Sequence, residues 1–276
     1  MSSPGSPVRS RSRLTERVGP AAAGAILSLV LLGGCVDSAA AHRVRANAFL
    51  RGGDAASALK ECDDGLAQKD GNLPLLILRG KALFELDRLE EARGAYQAAL
   101  DGAHAEAPSS LAEVYLGLAM IASRREDWPA ARRHFETLVG FNDKDASSHL
   151  NVAKTCLELR DLDCAVGHAE TAAHLRGDDE PVLYTLGTIY LAAGKIEEAK
   201  LTFQHICEVV PGAASCPYGL ALVATRSGDK RKAIAELDDA VRRKLPNPHQ
   251  IAKDPGFSSI KDDPEFAQLV ARATHP

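Results

Sequence analysis

Six alanines set the frame of this chain. Ala58, Ala92, Ala131, Ala165, Ala199 and Ala233 stand 34, 39, 34, 34 and 34 residues apart. A fixed period of 20–50 residues dictates the architecture, because each unit is one supersecondary piece that needs its neighbours to bury its apolar face. The longer interval is explained by five extra residues within a Pro- and Ser-containing loop, GAHAEAPSS, at 102–110. Twelve residues before each alanine stands a second small residue: Ala46, Gly80, Ala119, Ala153, Gly187 and Ala221. Four residues after it stand Cys62, Tyr96, Phe135, Ala169, Phe203 and Leu237. Two small residues on successive helices let the axes approach near the short end of the usual 8–10 Å range, and the larger residue fills the space to the next unit. Aromatics make up 5% of the chain and Ala and Leu dominate, which favours helix over sheet. No heptad persists, so the register excludes a coiled coil.

The clearest unit begins at Glu180. It reads Leu183-x2-Leu186-Gly187-x2-Tyr190, then Gly194, Ala199-x3-Phe203, Ile206 and Pro211. This resembles the tetratricopeptide repeat, W-x2-L-G-x2-Y…A-x3-F…P over 34 residues, with Leu183 in place of the tryptophan. The resemblance implies an all-α fold: a right-handed superhelical solenoid of six helix hairpins at 39–72, 73–106, 112–145, 146–179, 180–213 and 214–247. Gly53, Gly194 and Gly228 end first helices, where a left-handed residue is cheap. Asp127-Trp128-Pro129 opens a second helix, with the aspartate as cap and proline in the first turn. Residues 248–276 read as a C-terminal cap. Asp263 and Pro264 begin a short helix with Phe266, Leu269 and Val270 on one face, and the tail resembles the Asp-Pro-x-Phe tails that follow bacterial tetratricopeptide arrays.

The N-terminus reads as an address. Residues 1–17 are polar and Arg-rich, and Val18–Leu32 is apolar. That stretch is shorter than the roughly 20 residues of a comfortable bilayer span, so a signal peptide at 1–34 is favoured over a retained short anchor. Leu32-Gly33-Gly34-Cys35 resembles the lipobox of bacterial lipoproteins. The resemblance implies cleavage after Gly34, acylation of Cys35 and a short lipidated linker at 35–38. Two or three acyl chains hold a protein stably on a leaflet. Val36 follows the cysteine and Asp37 comes one later, which in that family leans towards the periplasmic face of the outer membrane.

Chemistry is absent from the motifs. Gly187–Lys195 only superficially suggests a phosphate loop: six residues separate the glycines instead of four, and Ile196 stands where Ser or Thr would hold magnesium. His168, Glu170 and His174 share a short stretch, but the two histidines do not align on one helix face. No catalytic, cofactor or metal site is expected. The chain carries a net charge of −4, and removing residues 1–34, with four arginines and Glu16, leaves 29 basic and 36 acidic residues, or −7. Nucleic-acid binders carry a basic stripe instead.

Five cysteines remain besides Cys35. Cys156 and Cys164 lie about equally far from the turn of the fourth hairpin, and Cys207 and Cys216 flank the turn at Pro211-Gly212. In an oxidising compartment each pair could close, or all four could be ordinary buried thiols. Cys62 reads as core.

The family resemblance also implies a binding surface, since first helices line the concave face and ligand-facing positions are the second, fifth, ninth and twelfth of each repeat. Here these include Arg43, Asn47, Ile77, Lys81, Phe84, Leu116, Met120, Leu150, Lys154 and Leu157 in the first four repeats. Tyr184, Thr188, Leu191, Tyr218 and Leu222 continue the surface in the last two. Leu78, Glu113 and Gly117 depart from the carboxylate clamp of chaperone-binding relatives. The expected role is a non-enzymatic interaction scaffold tethered in the cell envelope, with an envelope protein as partner. In repeat count and lipobox the chain is similar to lipoproteins that help pilus secretins multimerise. An envelope enzyme accessory or ligand-binding receptor is the alternative.

Overall fold

The computed structural model describes residues 38–103 and 108–274, so the leader and Cys35 lie outside the described residues. Twelve α-helices form six hairpins: α1 (Ser38–Arg51) with α2 (Ala55–Gln68), α3 (Leu73–Glu85) with α4 (Leu89–Asp101), and α5 (Pro108–Arg124) with α6 (Trp128–Phe141). The second half repeats this with α7 (Ala146–Glu158) and α8 (Leu162–Leu175), α9 (Glu180–Ala192) and α10 (Ile196–Val209), and α11 (Ser215–Arg226) and α12 (Lys230–Arg242). Two 3₁₀ segments, Pro248–Lys253 and Pro255–Ile260, lead into a final helix, α13 (Pro264–Thr274). Each helix packs on the next in order, which makes a solenoid with no strand among the described residues. No helix among them is long and apolar enough to cross a membrane.

The hairpin turn is the same six times over. Five residues before each framing alanine the backbone enters the left-handed region, at Gly53, Asp87, Glu126, Arg160, Gly194 and Gly228, with φ from 58° to 80°. The next residue, at Asp54, Arg88, Asp127, Asp161, Lys195 and Asp229, donates its N–H back to the carbonyl five residues earlier, at 2.9 Å in every hairpin. This is the bond of a Schellman turn, which satisfies a carbonyl that the helix end leaves open. The same residue begins the second helix. Where it is aspartate, its carboxylate accepts the N–H three residues on, at 3.0–3.2 Å. Composition announced three of these turns through glycine; at Asp87, Glu126 and Arg160 the packed hairpin imposes the conformation on ordinary residues.

The six framing alanines are all 0% exposed. Their partners on the first helices are buried as well, but the glycines among them face rings. A methyl group added to Gly80 would lie 2.7 Å from the Tyr96 ring, and one added to Gly187 would lie 2.6 Å from the Phe203 ring. The same rings press on glycines of the following hairpin, Tyr96 on Gly117 and Phe203 on Gly219. Sequence reasoning set small residue against small residue. At these two hairpins the larger residue four past the alanine, which fills the space to the next unit, is an aromatic ring seated between two glycines.

The far end is closed. Ile251, Phe257, Ile260, Phe266 and Leu269, each almost fully buried, join Tyr218 and Leu237 in one cluster over the last hairpin, with Val270 partly buried beside them. Asp263 caps α13 by accepting the Glu265 N–H at 2.9 Å. Cys156 on α7 meets Cys164 at the start of α8 with a Cα separation of 5.9 Å, and Cys207 on α10 meets Cys216 on α11 at 5.4 Å. Both separations suit a disulfide. Cys62 is fully buried, and burial pushes its thiol up to about 12.

Gly219→Leu or Gly187→Leu should destabilise the protein by about 3 kcal/mol or more, since the ring has glycine on both sides and no direction in which to relax. Glu126→Gly and Arg160→Gly should each stabilise it by about 0.5 kcal/mol: relief of left-handed strain outweighs the added freedom of the unfolded chain. Denaturant midpoints measure both. A Gly219→Leu protein as stable as the parent would contradict the packing described.

Candidate concave groove

First helices pack on one another as α1 with α3, α3 with α5, α7 with α9 and α9 with α11. α5 and α7 pair less closely than these, and the residues at their junction differ in size from the others. The sixth position of each repeat receives the residue that follows the previous repeat's alanine by four. Tyr96 and Phe203 meet glycine there, and Cys62 shares a core cluster with Leu78. Phe135 has Asn151 at that position. Phe135 and Asn151 both line a cleft of 470 Å³.

Phe84, Met120, Trp128 and Lys154 also line this central cleft. Met120 is 42% exposed, and its neighbour one turn back, Leu116, is 40% exposed, an unusual amount of bare aliphatic surface for two adjacent turns. The Arg124 guanidinium lies 4.6 Å from the Phe84 ring centroid and holds Asp87 at 3.0 Å. Lys154 is exposed, with no hydrogen bond or ion pair among the described residues. The cleft thus offers aliphatic and aromatic walls, one stacked cation already paired, and Lys154 and Glu158 as exposed charges of opposite sign. It suits an apolar side chain flanked by polar or charged groups.

The other sequence-predicted residues are distributed over separate clefts. Arg43, Asn47, Ile77 and Lys81 line one near the N-terminal end, where Lys81 is held by Glu113 at 2.7 Å and Ile77 is core. Tyr184 and Tyr218 line one between α9, α11 and the segment after α12. The C-terminal segment occupies much of the last repeat's concave side, which corrects the expectation of an open tyrosine pair. The Tyr218 hydroxyl donates to Asp254 at 2.6 Å, and its ring meets Phe257 edge-on at 5.4 Å, leaving it 7% exposed. Burial and then the Asp254 hydrogen bond push its phenol far above the usual value. Tyr184 packs on Phe203 at 5.7 Å and is pushed up to about 12, chiefly by burial. Leu222 lies against Gly256. The Thr188 hydroxyl donates to the Thr185 carbonyl, and Leu150, Leu157 and Leu191 are each partly buried. Nothing in the aromatic spacing distinguished an anchor for a partner from an anchor for the chain's own tail.

One polar feature escaped sequence reasoning. His168 pairs with His149 of the neighbouring helix, Nδ1 to Nδ1 at 2.9 Å, and not with Glu170 or His174. His149 is buried and its Nε2 donates to the Asp143 carbonyl at 3.0 Å, so its Nδ1 accepts from His168 while both rings are neutral. Burial, then the neighbouring imidazole, hold His168 below the usual histidine value.

Comparison with known proteins places this geometry. Residues 184–248 match the tetratricopeptide-repeat family. No curated protein matches the chain in sequence. Among solved structures, a tetratricopeptide-repeat protein from Parabacteroides merdae is 15% identical, with 86% of this chain and 92% of that one covered at a TM-score of 0.70. This is the tetratricopeptide-repeat fold. PilW, a widely conserved type IV pilus biogenesis factor, superposes with a TM-score of 0.62 at 14% identity, covering 80% of this chain and 97% of its own. YrrB, a tetratricopeptide-repeat protein with an unusual peptide-binding site, gives 0.54 at 18% identity over 77% and 97%. At these identities the likeness shows the fold alone.

Within the tetratricopeptide stack, the histidine pair makes a titration prediction. A folded-state pKa below the unfolded value, about 6.5, gives stability that is present at neutral pH and lost as pH falls through that value. The melting temperature should therefore drop between pH 7 and pH 5. His168→Asn should flatten that slope, whereas the capping carboxylates, whose pKa values are lowered, give way only at more acid pH. An unchanged slope in His168→Asn would remove the pair from the account.

Proposed function

We propose that this protein is a membrane-anchored scaffold of the bacterial cell envelope that holds an extended segment of a partner protein along the concave face. The observation that carries the reading is the central cleft, where Phe84, Met120 and Lys154 converge on a gap the stack leaves open. A tetratricopeptide solenoid supplies a long surface with shallow clefts, which suits recognition of an extended chain by a few anchors. Anchorage through acylated Cys35 rests on the lipobox read in the sequence, and export would let both cysteine pairs close as disulfides. The likeness to PilW supports an envelope complex of the pilus or secretin type as the assembly served.

Pull-down from a detergent extract of the native membranes, followed by capture measurements on the recovered partner, tests this. Phe84→Ala and Met120→Ala should each weaken capture by about 1–2 kcal/mol, as truncated central anchors do. Lys154→Glu should disfavour an acidic group on the partner and slow its association. Glu197→Ala and Lys232→Ala, both exposed on second helices, serve as controls. Normal capture by the groove variants with loss in the controls would put the partner on the convex face. Separately, Cys35→Ser should release the protein from the membrane fraction; a Ser variant that still sediments, beside a parent free of acyl groups, would end the lipoprotein reading.

A further inference from the structure

The two ends of the solenoid are unlike. The last hairpin is covered by the C-terminal segment and α13, while no described residue covers the outer side of α1. Position six of the repeat marks that side. In the third and sixth hairpins it is Gly117 and Gly219, each pressed by a ring from the hairpin before. In the first it is Val44, 64% exposed. Arg43, Val44, Asn47, Ala48 and Arg51 are all exposed and fall at helical spacing on one face, and that face also forms the α1 wall of the N-terminal cleft with Ile77 and Lys81.

The charge on that face runs against the rest of the protein. α1 contains no acidic residue, whereas the chain beyond the leader is net negative. Arg45 is tied to Glu61 at 2.8 Å, but Arg43 and Arg51 have no acidic partner among the described residues. An open array edge normally carries a polar cap. Here it carries two unpaired guanidinium groups around a bare valine, the pattern of a surface that meets anionic headgroups with its apolar residue at the boundary.

Chain length adds the second constraint. Cys35 precedes the first residue of α1, Ser38, by three positions. Three residues span at most about 10 Å. If Cys35 carries acyl chains, the Ser38 end of α1 is held within about 10 Å of the bilayer surface, and the exposed charges along the helix then decide how it lies. We infer that the outer face of α1, through Arg43, Val44 and Arg51, lies on the anionic headgroup surface of the membrane and fixes the orientation of the whole solenoid. The inference rests on the acylation reading. The acidic remainder of the solenoid then projects away from the surface, and the concave clefts start at the membrane and run outward.

The acylated mature protein, reconstituted in phosphatidylcholine vesicles with or without phosphatidylglycerol, tests this. A fluorophore is placed at Ala48→Cys on α1 or, as control, at Leu201→Cys on α10, and headgroup-spin-labelled lipid is the quencher. The Ala48 label should be quenched several-fold more than the Leu201 label in vesicles that contain phosphatidylglycerol. High salt, or Arg43→Glu with Arg51→Glu, should reduce that difference while the protein still floats with the vesicles. Equal, weak quenching at both sites on floating protein would overturn the inference and leave the anchor standing. Self-quenching between Ala48 labels without lipid quenching would overturn it in favour of a second copy on that face. Protein that neither floats nor shows acyl mass would remove the anchor reading and this one with it.

Discussion

A ring seated between two glycines sets the spacing on which this stack depends. Phe203 touches Gly187 of its own hairpin and Gly219 of the next, and Tyr96 does the same with Gly80 and Gly117. A solenoid has no other way to make distant parts cooperate, because each hairpin meets only its neighbours. The ring therefore does two jobs: it closes one hairpin and docks the following one. Glycine is what lets both backbones come within reach of its faces, at a cost in helix propensity of about 1 kcal/mol each. That cost is offset only while the ring is present, so ring and glycines form one unit.

The central cleft coincides with a departure in that pairing. Where the docking position is Gly117 or Gly219 the first helices close up; where it is Asn151, opposite Phe135, they pair less closely. The concave surface is uneven, with clefts towards both ends as well as at the centre. At the last repeat the chain covers part of that surface itself: Asp254, Gly256 and Phe257 meet Tyr218 and Leu222 from the tail. Two residues that look like partner anchors by position are thereby spent on closing the array.

Much of the architecture was legible because period and size are sequence properties. The six alanines, the cap with Phe266 and Leu269, and the two cysteine pairings in space all follow from spacing along the chain. What was not legible depended on rotation and on who arrives first at a surface. Arg160 in a left-handed turn carries no compositional mark; the turn is imposed by the bond from Asp161 to Cys156. His149 and His168 stand 19 residues apart and meet only because α7 and α8 pack in register. Asn151 was readable in principle, since comparing the sixth position of each repeat with the ring before it needs no coordinates. The occupation of Tyr218 by the tail was not, because position five of a repeat has the same composition whether it waits for a partner or is already filled.

Binding and stability compete at one interface. The pairing of α5 with α7 is weaker than that of the other first helices. Ligand sites are commonly drawn from the less stable parts of a fold. The chain places compensation next to the loss. Cys156 belongs to the same core cluster as Phe135 and Ala119, and its pairing with Cys164, once oxidised, ties α7 to α8 directly behind the gap. Arg132 of α6 reaches Asp161 at the start of α8 at 2.8 Å and bridges the third and fourth hairpins on the side away from the cleft. An exposed ion pair contributes little by itself, about 1 kcal/mol at most. The packing of α6 on α7 is as close as at the other junctions, so the third and fourth hairpins stay joined behind the first helices. A groove can then stay open on the concave side without dividing the solenoid into two independent halves.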